Sequence, residues 1–121
     1  MSFTFYKVLH ILGLLMTFLA LGGVIQHFIN EGDKNHRWKI GAAVTHGLGL
    51  VLVLISGFGM LAKKPYLWPY PGWAFAKLGI WLLLGGALAA AIRLKGAGRV
   101  IWGGVLGLGA VAAYLAVYRP F

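Results

Sequence analysis

Four apolar runs separated by short polar segments set the plan of this chain: residues 5–29, 40–62, 73–94 and 98–118. Each is 21–25 residues long, enough for a helix to cross ~30 Å of hydrocarbon. In hydrocarbon the backbone must satisfy its own hydrogen bonds, so a spanning segment is a helix or a strand of a closed barrel. Barrel strands are about 10 residues long and alternate apolar with polar positions, and no run here alternates. The pattern predicts an all-α integral membrane protein, a four-helix bundle of up-down-up-down order, with residues 1–121 forming one transmembrane domain.

Up-down-up-down order follows from the links. "NEGDKNHRWK" (30–39), "KKPYLWPYPG" (63–72) and "KGAGR" (95–99) are short enough to force neighbouring helices antiparallel. The membrane side bearing the N-terminus, side A, then also carries the C-terminus and the 63–72 link; side B carries the other two links. In the middle link Pro65, Pro69 and Pro71 break any helix, while Tyr66, Trp68, Tyr70 and Trp73 suit the head-group layer. It is expected to be an interfacial anchor or a lid over side A. Ala20-Leu21-Gly22 is a passable signal-cleavage site, but the first apolar run exceeds the usual signal length, so an uncleaved first span is expected.

Composition narrows the function classes. The chain is 60% hydrophobic with 11% charged residues, whereas a soluble domain usually carries about 25%. A formal charge of +9 would suggest nucleic acid in a soluble chain. Here the cations flank the spans, where they meet anionic lipid, so the partner is the bilayer and not nucleic acid. Side A holds Lys7, Lys63, Lys64, Lys77 and Arg119; side B holds Lys34, Arg37, Lys39, Arg93, Lys95 and Arg99. The one-residue excess places side B in the cytoplasm by the positive-inside rule. With no cysteine, disulfides, thiolate catalysis and cysteine-ligated metals are excluded. Glu31 and Asp33, the only acids, both fall in a link, so no carboxylate pair serves acid–base chemistry within the membrane.

Ionisable residues inside spans are costly and become functional candidates. Counting about 1.5 Å per residue from the span ends puts His10 roughly 8 Å inside side A. Lys77 enters span 3 at similar depth, and Tyr6, Lys7, Tyr114 and Tyr118 share that layer. His46 lies about 9 Å inside side B. It carries a stripe of Ala42, Thr45, Gly49, Val53, Ser56 and Gly57, and His10 has its own stripe of Gly13, Thr17 and Val24; both stripes read as faces turned to the bundle. Arg93 ends span 3 on side B. With a ~30 Å core, the two histidines stand roughly 13 Å apart in depth, too far to share one haem iron. Each is either an iron ligand in its own leaflet or a hydrogen-bonding strut between helices. His27 and His36, at or beyond the side-B end of span 1, read as solvated interfacial residues. In span 4, Gly103 and Gly107, like Ala112 and Ala116, have the spacing that lets helices approach closely. That packing is expected within the bundle first, and otherwise in a homo-oligomer or larger complex.

Three segments resemble a known group: "YKVLH" (6–10), "HGLGLVLVLISGFGML" (46–61) and "PGWAFAKLGIWLLL" (71–84). The layout is similar to the small four-span bacterial inner-membrane proteins called SirB-like, relatives of the HemJ and CopD group. The HemJ likeness implies b-type haem and oxidation of a porphyrinogen, with the span 1 histidine and span 3 lysine, here His10 and Lys77, as key polar positions. The second half of span 1, "TFLALGGVIQHF" (17–28), lacks the arginine of HemJ-like proteins and so favours the SirB-like branch. CopD-like copper handling calls for Cys and Met ligands, and Met1, Met16 and Met60 form no cluster.

Two functions follow as expectations. One is a haem b protein with an electron-transfer or porphyrin-related role, using His10, His46, Lys77 and Tyr114 as cofactor-binding residues, with His10 and His46 as candidate iron ligands. The other is a non-catalytic accessory or scaffold subunit of a larger membrane complex. A transporter would show broken helices or an internal repeat, and neither is present.

Overall fold

The computed structural model describes residues 2–33, 37–63 and 72–118, with the side chains of Trp73 and Lys95 left aside. Four helices account for nearly all of it: α1 Phe3–Ile29, α2 Lys39–Ala62, α3 Gly72–Arg93 and α4 Gly98–Tyr118. A 3₁₀ turn, Lys95–Ala97, joins the last two. All four are long and apolar enough to cross a membrane. The protein is therefore an all-α four-helix bundle of the multi-pass membrane type. The expected aromatic link at 64–71 lies outside the described residues, as do Lys34, His36 and Arg119.

The helix ends follow local chemistry. Ser2 caps α1, its hydroxyl oxygen accepting from the Phe5 amide at 3.1 Å. At the other end the Glu31 amide donates to Phe28 O (3.1 Å) and the Gly32 amide to His27 O (2.8 Å). Those two bonds define a Schellman motif. Its left-handed position is filled by Glu31, with φ 59°, where glycine is the usual residue. The His27 ring closes the motif by donating from Nε2 to Asp33 O at 2.7 Å, and it lies over Gly32, where a Cβ would have to displace the ring. His27 is thus half-exposed at the helix end, as expected, and also straps the turn that follows.

Contacts fix the antiparallel order. Tyr6 lies over Gly59, His10 beside Val53 and Ser56, and Thr17 beside Gly49, so α1 and α2 run in opposite directions. His46 meets Leu84 and Trp81 meets Leu50 between α2 and α3. Phe18 meets Gly109, and Ile29 meets Gly98, between α1 and α4.

The tightest seam is the α1/α2 crossing. A Cβ placed on Gly13 would sit 2.7 Å from Gly49 O, and one on Gly49 would sit 2.7 Å from Gly13 O and 2.6 Å from Thr17 Oγ1. The two backbones are therefore in direct contact, as small residues permit in lipid. Thr17 fits beside them fully buried, its hydroxyl donating back to Gly13 O at 2.9 Å. This is the close approach that the sequence suggested for α4. Gly103 and Gly107 instead point away from the bundle, exposed and with nothing within 4 Å of their Cβ positions. The buried residues of α4 are Gly98, Val105 and Leu115, which set its inner face on the opposite side of the helix.

The core is lopsided along the membrane normal. On α1 the buried residues begin at Gly13 and continue to Phe28, and on α3 they are Ile80, Leu84, Ala87 and Ala91. Packing is thus dense from mid-membrane to side B. On side A, before Gly13 and before Ile80, neither helix has a buried residue among those described. Among the described residues, Leu115 of α4 and Ser56 of α2 are buried at this level.

Candidate functional site

The side-A layer is built around His10. The α1/α2 crossing, three residues away at Gly13, brings its ring against α2, over Gly57, whose Cβ position lies 3.5 Å from the imidazole Cε1. Nδ1 is 3.1 Å from Val53 O and 3.0 Å from Ser56 Oγ. The Ser56 hydroxyl, fully buried, donates to Leu52 O, with Val53 O at 3.2 Å. A carbonyl oxygen can only accept, and a hydroxyl that donates elsewhere accepts through its lone pair. Both neighbours of Nδ1 are acceptors, which assigns the ring proton to Nδ1. Nε2, on the far edge, then carries the lone pair in the neutral ring. It has no partner among the described residues, and no described side-chain nitrogen is both buried and unpartnered, so Nε2 is accessible.

Lys77 of α3 is close enough to His10 for its charge to act on the ring. Tyr6, one turn before His10, packs on Gly59 beside them. Tyr114 belongs elsewhere. It is half exposed, and its ring stacks on that of Tyr118 at a centroid distance of 4.9 Å. Its neighbour Leu115 faces the core, so Tyr114 turns outward and is not gathered with His10. Lys7 is exposed, as an end-of-span anchor should be.

His46 is a different kind of residue. It is buried, and its Nε2 donates to Leu84 O across the α2/α3 seam at 3.1 Å. Trp81 Nε1 donates in the opposite direction, to Leu50 O, at 2.9 Å. These two side chains tie α3 to α2 where few apolar residues meet. Because Leu84 O only accepts, the His46 proton sits on Nε2, the reverse of His10. The nitrogen that reaches farthest from the backbone is thus committed to holding helices together. His46 and His10 are also far apart. His10 is level with Val53 and Ser56, 7–10 residues beyond His46 on α2, or about 10–15 Å along the axis.

Among the described residues, His10 Nε2 is the nitrogen of the two in-span histidines that is left open to a ligand, since His46 Nε2 is bonded to Leu84 O. His10 offers an accessible Nε2 whose ring is held by an Nδ1–H bond to a carbonyl, the arrangement that orients most histidine ligands. His46 offers no second ligand to the same iron. Among the described residues no group of three or more His, Asp or Glu side chains could hold a bare metal ion. Comparisons with protein-family models, with curated proteins and with solved structures give no match to this chain. Sequence reasoning missed the Ser56 hydroxyl as the partner that fixes His10. The signal was present, since Ser56 lies in the small-residue stripe, but nothing in the sequence sets the register of α1 against α2.

Proposed function

We propose that this chain is a multi-pass protein of the bacterial inner membrane that holds b-type haem in its side-A half, for electron transfer or porphyrin-related redox chemistry. The observation that supports it is the His10 ring, tied to α2 through Nδ1 and presenting an accessible Nε2 near Lys77. His10 would be the iron ligand. Lys77 would balance an anionic group on the macrocycle edge, and the surface of α1 before Gly13 and of α3 before Ile80, where neither helix has a buried side chain among those described, is where a flat apolar ligand would displace lipid rather than core. Haem supplies one-electron transfer when bound. The chain's part is to orient the ligand, keep water out and set the local charge. His46 stays a strut between α2 and α3.

The test is the absorption spectrum of protein purified from haem-supplied cells. Wild type and His46→Gln should show a Soret band, and His10→Gln should lose it while keeping its helical circular dichroism. Glutamine retains a donor for Val53 O, which separates ligation from helix packing. Absence of the band in wild type, or its persistence in His10→Gln, would refute the proposal.

One observation favours a second reading, an accessory subunit of a larger complex: on the outward ridge of α4, Gly103 and Gly107 have nothing within 4 Å of their Cβ positions among the described residues. Replacing Gly103 by Leu should then abolish co-purification of a partner from native membranes without altering monomer stability. A monodisperse monomer with no partner would count against this reading.

A further inference from the structure

At the side-B end of the α1/α4 seam lies an open groove of about 350 Å³, lined by Gln26, Ile29, Asn30, Arg99 and Trp102. Its position follows from the helix ends. α1 stops at Ile29 and α4 starts at Gly98, so the groove sits in the head-group layer. Gln26 and Asn30, one turn apart, present two amides along one edge of α1. Arg99 and Trp102, three residues apart, present a guanidinium and an indole along the facing edge of α4. Arg99 is exposed, and the groove contains no carboxylate. Glu31 and Asp33 line a separate groove with Phe28, Gly32 and Gly96.

Deeper along the same seam the surface is apolar and shallow. Gly22 has nothing within 4 Å of its Cβ position, which leaves the α1 surface bare there, and on α4 Leu106, one turn beyond Trp102, is exposed. A cationic, amide-lined mouth above an apolar surface matches one ligand class. We propose that this groove is a specific site for an anionic glycerophospholipid, its phosphate held by Arg99. The Gln26 and Asn30 amides would hydrogen-bond the head group, and one acyl chain would follow the α1/α4 seam past Trp102. Arginine suits the task because its planar fork of donors meets two phosphate oxygens at once. An indole at this level packs its ring on the glycerol region while keeping its N–H in the wet layer. This site is distinct from the His10 layer, which lies toward the opposite membrane face, and it does not depend on haem.

The test uses the full chain, delipidated in neutral detergent and titrated by native mass spectrometry. The probes are phosphatidylglycerol, phosphatidylcholine with the same acyl chains, and inorganic phosphate. One phosphatidylglycerol should bind more tightly than phosphatidylcholine, and inorganic phosphate should not compete. Arg99→Gln should weaken phosphatidylglycerol binding about tenfold. Arg93→Gln, an equally exposed cation on the same side of the membrane, should change it less than about threefold. Trp102→Ala should weaken both lipids. Equal losses for Arg99→Gln and Arg93→Gln would reveal only a diffuse positive field and overturn the proposal. So would indifference between the two lipids, or competition by inorganic phosphate, which would mark a site for soluble anions.

Discussion

Replacing Gly49 by alanine adds one methyl group at the point where α1 and α2 touch. That methyl would stand 2.7 Å from Gly13 O, 2.6 Å from Thr17 Oγ1 and 2.8 Å from the Thr17 amide nitrogen, against an ordinary contact of 3.4 Å or more. Two of the three obstructing atoms are backbone, so no rotamer change relieves the clash and the helices must part by about 0.7 Å, the difference between 3.4 and 2.7 Å. A gap of roughly 0.5–1 Å forfeits a quarter to a half of the dispersion energy of each contact it opens. It would also stretch the His10 bonds to Val53 and Ser56 on the same seam. Overpacking of this kind costs about 1–3 kcal/mol, while the better helix propensity of alanine returns up to about 1 kcal/mol. The net expectation is a loss of about 0–2 kcal/mol against wild type, and about 1–3 kcal/mol against an alanine control that gains the same propensity. Reversible unfolding by steric trapping in bilayer discs would measure it. Gly47→Ala is the control, because nothing lies within 4 Å of the Gly47 Cβ position, and it should be neutral or slightly stabilising. If the two variants agree within about 0.5 kcal/mol, the usual error of such comparisons, the backbone contact does not hold the seam.

Two further predictions concern the helix ends and the weaker seam. Glu31→Gly should stabilise the protein by about 1 kcal/mol, seen as a raised melting temperature, because a left-handed φ of 59° suits glycine and penalises a side chain; Glu31→Ala should bring no gain. His46→Leu and Trp81→Phe each remove one hydrogen bond between α2 and α3 and should cost roughly 0.6–1.7 kcal/mol in bilayer unfolding, the range of interhelical bonds in membranes. A cost near zero for both would leave the α2/α3 seam without its proposed ties.

The spans were legible because length and hydropathy alone decide what crosses a bilayer. The expected runs 5–29, 40–62, 73–94 and 98–118 differ from the helices by two residues at most. The stripes on α1 and α2 were also legible: Gly13, Thr17 and Val24 are buried, and on α2 Ala42, His46, Gly49 and Ser56 are buried while Thr45, Val53 and Gly57 are half-buried. What the sequence could not supply was the choice among competing small-residue faces. Gly13 and Thr17 on α1, and Thr45 and Gly49 on α2, have the same four-residue small-residue spacing as Gly103 and Gly107 on α4, yet Gly13 and Gly49 meet the facing helix while Gly103 and Gly107 have nothing within 4 Å of their Cβ positions among the described residues. Spacing reports which faces permit close approach; only the register between helices decides which are used. The depth difference between His10 and His46 came from counting residues, but their opposite roles depend on which ring nitrogen meets a carbonyl, and that is set by rotation about the helix axis.

The most direct measurement is the tautomer of each histidine. In bilayer-embedded protein with ¹⁵N-labelled histidine, assigned by difference spectra of His10→Gln and His46→Gln, the bonds to Val53 O and Leu84 O predict opposite states. His10 should be protonated at Nδ1 with a bare Nε2, and His46 protonated at Nε2 with a bare Nδ1. A His10 ring protonated at Nε2 instead would contradict the account, because the nitrogen proposed to face the ligand would then have no lone pair to offer.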